Sequence, residues 1–170
     1  MQLVSGDAAG EVVESLRRLV HGLRVSAHAA EHKLGVSGAQ LFVLAELAAE
    51  PGCSIRRLSE RTLTDPSSVS VVVARLVARG LVARRRDAKD ARASVLTVTR
   101  RGLAVLRRAP EPYQVRLIAG LRALSPAKLR QVRGVLADLV AALGLADGAA
   151  PLFFEGTPRR RQRTRSHAAR

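Results

Sequence analysis

The sequence predicts a mainly α-helical protein that carries one small β-hairpin. Three observations lead there. Apolar residues recur at helical spacing towards both ends of the chain, as in Leu16, Leu19, Val20 and Leu23, and again in Leu129, Val132, Leu136, Leu139, Val140 and Leu143. Between them, Ser54 to Arg79 reads as two short helices separated by a polar break, Thr62-Leu63-Thr64-Asp65. Gly80 stops the second helix, Leu81-Val82 enters a strand, and Val95, Thr97 and Thr99 alternate with Leu96 and Val98 in a returning strand. A helix-turn-helix followed by a hairpin is a winged helix. The predicted fold is therefore a winged helix-turn-helix with flanking dimerisation helices.

Taken in order, residues 1–10 are small and polar, without a period, and read as a flexible N-terminus. Glu11 to about Lys33 forms a long amphipathic helix with Leu16, Leu19, Val20, Leu23, Ala27 and Ala30 on one face. The segment 11–36 reads as a dimerisation arm, or more plainly as a core helix. His21, His28 and His32 project roughly opposite that face, together with Glu14. His28 and His32 are close enough to share a metal. An ordinary solvated face is the favoured explanation, and beyond Glu14 and Glu31 the sequence nominates no further ligand. No metal and no cofactor is assigned.

Gly35-Val36-Ser37-Gly38 breaks the chain, and Ser37 caps a helix from Ala39 to Ala49 with Leu41, Val43, Leu44 and Leu47 inward. Pro51-Gly52 ends it. Cys53 follows; a thiol near a helix start could sense oxidants, but a small buried or idle loop residue is the plainer reading. In the first reading helix, Ser54 to Glu60, Ile55 and Leu58 face inward. Asp65 or Thr64 caps the second, with Pro66 at its first position, where a missing N–H costs nothing. From Pro66 to Arg79 the residues Val69, Val72, Val73, Leu76 and Val77 form one face. The stretch Arg84 to Arg92 is too polar for anything but a solvated hairpin tip. Residues 37–99 are the expected DNA-binding unit.

Thr99 caps a helix from Arg100 to Ala109, which Pro110 and Pro112 interrupt. Tyr113 to Leu124 resumes with Val115, Leu117, Ile118 and Leu121. Ser125-Pro126 starts the last helix, which runs to Leu143 before Gly144. Segment 100–145 carries more apolar surface than a small winged helix needs, which suggests a subunit interface. Residues 146–170 read as a basic, disordered tail with the block Arg159 to Arg165. Within it, Leu152-Phe153-Phe154 is an apolar patch, a candidate to dock back onto the dimer.

Composition narrows the function. Twenty-nine Lys and Arg against fourteen Asp and Glu give a net charge of +15, so a polyanion is the expected partner. With no Trp, one Tyr and three Phe, stacking on single strands is disfavoured and duplex DNA is preferred. One cysteine allows no internal disulfide, which fits a reducing cytoplasm. No apolar run is long enough to cross a membrane, and no secretory signal is visible. No catalytic motif appears, so an enzyme is not expected. In the hairpin, Arg84, Arg86 and Lys89 are candidates for phosphate contact. An architectural protein coating DNA with little sequence preference is the alternative reading.

From about Glu11 to Leu143 the chain resembles the MarR family of bacterial transcriptional regulators. The resemblance rests on Asp65-Pro66-Ser67-Ser68-Val69-Ser70, on Arg75 through Val82, on Arg85-Arg86-Asp87 with Asp90-Ala91-Arg92-Ala93, and on Leu96 to Gly102. It implies a homodimer that binds a palindromic operator, usually as a repressor, and is released by a small ligand or oxidant. By position it implies that Ser67, Ser68 and Ser70 face the groove and that Arg75 lies near the phosphates. It also implies that Arg92 is the wing arginine and that Asp90 holds the wing turn. Val71 stands where the family often has a polar or basic residue, and suits a thymine methyl or simple packing. Ala91 stands where an arginine is common. Cys53 is not where oxidation-sensing members carry their cysteine. Family pockets lie between the dimer helices and the reading domain, which makes His21, Arg24, His28 and Tyr113 ligand candidates. A location at the bacterial nucleoid follows from the same resemblance.

Overall fold

The structure is a computed structural model and describes residues 8–86, 94–145, 150 and 152–154. Lys89, Asp90, Ala91, Arg92 and the arginine block of the tail lie outside the described residues, as do most of the positions expected to form a flexible N-terminus. In chain order the elements are α1 (Ala8–Leu34), α2 (Gly38–Ala49), α3 (Ile55–Thr62), α4 (Pro66–Ala78), β1 (Val82–Arg86), β2 (Ser94–Val98), α5 (Arg100–Arg108), α6 (Tyr113–Arg122) and α7 (Pro126–Ala142).

The helix starts follow local chemistry. Ser37 heads α2 with a capping box: its Oγ accepts the Gln40 N–H at 3.2 Å, and Gln40 Oε1 accepts the Ser37 N–H at 3.2 Å. Ser54 caps α3, Asp65 caps α4, Thr99 caps α5 and Ser125 caps α7. Pro112 precedes α6 with no side-chain cap, so the prolines do separate α5 from α6. The end of α4 is a Schellman turn. Gly80, at φ +68°, donates to Val77 O, and Leu81 N–H donates back to Leu76 O at 2.9 Å. That turn reverses the chain directly from the helix into β1.

β1 and β2 pair antiparallel, with Val82 opposite Val98 and Arg86 opposite Ser94. Two expectations change here. Arg84, Arg85 and Arg86 belong to β1 rather than to a hairpin tip, because ladder bonds are indifferent to side-chain charge and all three heads stay exposed. Cys53 is buried, as the plainer of its two readings has it, but it is not idle. It bridges Leu96, which donates to Cys53 O at 3.1 Å and accepts from Gly52 N–H at 3.0 Å, adding a short third rung to the hairpin.

The core lies under α2. Phe42, Leu41, Leu44, Leu47, Leu58, Val69, Val72, Val73, Leu76 and Leu96 are all buried, so α2, α3, α4 and the hairpin share one apolar interior. The flanking helices differ. On α1 only Leu23 and Ala30 are buried, while Leu16, Leu19 and Val20 of the same face remain exposed. No residue of α7 is buried, and Leu129, Leu136, Leu139 and Val140 of its apolar stripe stand exposed.

Candidate nucleic-acid interface

α4 carries two opposite faces. Val69, Val72, Val73 and Leu76 point into the core. At ~100° per residue, Ser67, Ser70, Val71 and Ala74 fall on the other side, flanked by Ser68 and Arg75. Ser67 and Ala74 are exposed, Ser68, Ser70 and Arg75 are half-buried, and Val71 is 44% exposed. A valine left that open contributes little to the fold. Ala74 extends this face by one turn. It was missed because a small apolar residue carries no chemical signal of its own, although the spacing from Ser67 through Val71 would have found it. Short side chains along one face let a helix approach a major groove closely.

Asp65 decides how that face begins. Its Oδ1 accepts the backbone N–H groups of Ser67 at 2.9 Å and of Ser68 at 3.0 Å, and also the Ser67 hydroxyl. The hydroxyl of Ser67 is therefore tied to the cap, while Ser68 and Ser70 sit on the first turn beside it. These bonds from Ser67 and Ser68 hold the Asp65 carboxyl well below the usual carboxylate range. A depressed pKa stabilises the fold above the group's ordinary value of 3.8 and loses that contribution as pH falls towards the folded-state value. Asp65→Ala is accordingly expected to lower the thermal midpoint at about pH 7, with the gap to the parent closing progressively below about pH 4. A gap of constant size across that range would show that the carboxylate is not the working cap.

α3 supports α4 through ion pairs with α2. Arg57 grips Glu50 with two nitrogens, at 2.9 and 3.2 Å, and Arg61 bridges Glu46 at 2.7 Å and Glu50 at 3.0 Å. The Arg57 bond lowers the Glu50 pKa. These two arginines are thus committed to holding α3, and basic charge alone would have mis-sorted them. At the far end of α4, Arg79 Nη1 donates to Gln40 Oε1 at 2.9 Å, joining α4 to the capping box of α2. The hairpin is locked to α4 by Thr99, whose hydroxyl donates to Gly80 O at 2.8 Å and accepts the Gly102 N–H at 3.1 Å. Arg84 and Arg86 leave this anchored base along β1 with exposed heads. Lys89, Asp90 and Arg92 belong to the part of the hairpin outside the described residues.

Cys53 is buried, and that burial, followed by the Glu50 charge, pushes its thiol pKa up. A protonated, enclosed thiol is a poor nucleophile, which opposes the sensing role.

The ligand candidates separate. Arg24 and His28 line an open cleft of about 520 Å³ between α1 and the start of α2, together with Glu31, Gly38 and Phe154. That volume suits a small molecule. His21 instead borders a groove on the uncovered face of α1, with Leu16, Arg17 and Val20; Arg24 reaches both. Tyr113 does not line that cleft but a smaller void on the other side of Phe154. Its backbone N–H donates to Ser26 Oγ at 3.2 Å and its ring lies on α1 at Gly22, where an added Cβ would meet Tyr113 Cζ at 2.6 Å. It clasps α6 to α1. The His28 and His32 rings are 4.4 Å apart, and among the described residues no third ligand joins them.

Residues 34–93 match the MarR family. The chain is similar to the HTH-type transcriptional repressor MdtR of Bacillus subtilis (strain 168), with 34% identity over 88 residues, which is 52% of this chain and 57% of that protein. It spans about half the length of the curated relatives it matches. Among solved structures it is similar to the PcaV transcriptional regulator from Streptomyces coelicolor, at 29% identity and a TM-score of 0.51 over 77% of this chain and 96% of that one. It is also similar to the YusO protein from Bacillus subtilis, at 26% identity and a TM-score of 0.51 over 82% and 99%.

Proposed function

We propose that this chain is a regulator of the MarR type, to which residues 34–93 match, and that it reads duplex DNA sequence-specifically as a homodimer. One observation carries the reading. The face of α4 formed by Ser67, Ser70, Val71 and Ala74 is left out of the core, beside a hairpin whose Arg84 and Arg86 are exposed. A neutral, short-chained helix face suits base edges, and the arginines suit phosphates. Arg75, Lys89 and Arg92 complete the phosphate and minor-groove contacts in this reading, with Asp90 bracing the wing.

The homodimer follows from the uncovered stripes of α1 and α7. Exposed rows of leucine and valine of that extent belong in a subunit interface. Two copies would then place two reading helices on a palindromic operator. The role is repression, the activity named for the similar MdtR, and release comes from a small molecule in the cleft bordered by Arg24 and His28. The protein acts on the nucleoid and has no catalytic role.

The net charge of +15 favours one other reading, an architectural protein that coats DNA. Selection from a random duplex pool separates the two. A regulator is expected to enrich one palindrome and to prefer it over random duplex by at least ~10³. Sedimentation of the free protein is expected to give twice the chain mass. Enrichment of no site, with affinity set by salt alone, would make the coating reading correct.

A further inference from the structure

The chain past α7 returns to the folded body. Leu152 is 4% exposed and belongs to the apolar core cluster. Gln114, at the start of α6 and only 5% exposed, donates its Nε2 hydrogen to Phe153 O at 3.0 Å. Phe154 then stands in the cleft between α1 and α2, beside Arg24, His28 and Glu31. It also closes a much smaller void lined by Leu23, Ser26 and Tyr113. Gly38 lets α2 approach α1, since an added Cβ would meet Ala27 Cβ at 2.8 Å, and Phe154 Cβ lies at ordinary contact distance, 3.6 Å, from the same point.

The attachment is real but slight. One leucine is buried, one buried amide is satisfied, and both phenylalanine rings remain partly exposed. Phe154 has φ +56°, a left-handed conformation that is unfavourable for a bulky L residue. Ordering such a short segment costs conformational entropy against few contacts. The balance suits a segment that docks and leaves.

We propose that residues 152–154 are a detachable wall of the α1–α2 cleft, and that a small molecule displaces Phe154 to extend from the open cleft into the apolar void that Phe154 closes beside Leu23 and Tyr113. This rests on the reading of that cleft as the effector site. It adds an internal competitor, so apparent ligand affinity is reduced by the fraction of time the segment is docked.

The test uses the full chain labelled with 4-fluorophenylalanine. The sequence has three phenylalanines, Phe42, Phe153 and Phe154, so fluorine spectra read the segment directly, assigned with Phe153→Leu and Phe154→Leu. The Phe154 signal is expected away from the position of free fluorophenylalanine. Adding 8-anilinonaphthalene-1-sulfonate as the probe is expected to move it there while Phe42, in the core, stays in place. Phe154→Ala and Leu152→Ala are each expected to bind the probe about tenfold more tightly, as for a parent whose open state is about a tenth of the population. Phe154→Ala removes an exposed ring and tests the point even if Leu152→Ala fails to fold. Three results would overturn the proposal: a parent Phe154 signal already at the free position, a probe that saturates without moving it, or equal probe affinity in parent and Phe154→Ala, including no binding in either. No DNA is present in this experiment, so its failure leaves operator binding standing, and loss of operator binding leaves it untouched.

Discussion

Ala74→Asp is expected to weaken binding to a selected operator by about 100-fold, close to 2.7 kcal/mol at tenfold per 1.4 kcal/mol. The residue is exposed on the outward face of α4, one turn past Ser70 and Val71. A carboxylate there would meet base edges and flanking phosphates at close range, where like charge is repelled and polar groups lose water without a partner. The fold should barely register the change. Ala74 touches none of the core residues on the opposite face, and the helix-propensity difference between alanine and aspartate is about 0.7 kcal/mol at most. Ala74→Ser serves as the uncharged control and should stay within a few-fold of the parent. Fluorescence anisotropy against the operator, with a thermal melt of the same samples, reads both quantities. Full operator binding by a folded Ala74→Asp protein would remove α4 from the groove.

Gly102→Ala is expected to give the largest loss of stability. Gly102 lies in the first turn of α5, where Thr99 Oγ1 accepts its N–H, and it is buried. A methyl group there would overlap Leu81 O and come within 2.7 Å of Val98 Cγ1. The Leu81 carbonyl is held in place. Leu81 O already accepts the Thr99 N–H at 3.0 Å, and the Leu81 N–H is tied into the Schellman turn. Overpacking of this kind costs about 1–3 kcal/mol, which lowers the melting temperature of a domain this size by about 3–10 °C. Gly120→Ala is the control of opposite sign. It sits in α6 with nothing within 4 Å of an added Cβ, so alanine should stabilise by about 0.5–1 kcal/mol. Equal melts for the two variants would show that α5 does not press on Leu81.

Gly102 also marks the limit of what could be read from the chain alone. Gly102 closes the segment that carries the family resemblance, but spacing gave no reason for a glycine there, because its constraint comes from Leu81, at the base of the hairpin. Gly22 under Tyr113 is the same case. Tyr113, the one tyrosine, drew attention as a ligand candidate, yet the structure places it as a clasp between α6 and α1. Arg57 and Arg61 could have served DNA by charge. The partners Glu46 on α2 and Glu50 at its end were not identifiable from spacing, because they meet these arginines across two helices.

What could be read directly was short in range. Asp65-Pro66, Thr99, Ser37 and Ser125-Pro126 announce helix starts because a cap bonds two or three residues away. Gly80 announces a stop because a left-handed turn needs a residue without a side chain. Periodicity separated the inward valines of α4 from its serines for the same reason, since helix geometry is local. From these the sequence by itself determined the winged helix, the two faces of α4 and the basic hairpin. Only the tertiary structure decided that Cys53 is enclosed as a rung against Leu96, that Arg84 to Arg86 lie in a strand, and that Phe154 returns to the α1–α2 cleft. Periodicity names the face that must be covered and is silent on what covers it, because contacts between distant segments depend on the packing of the whole chain.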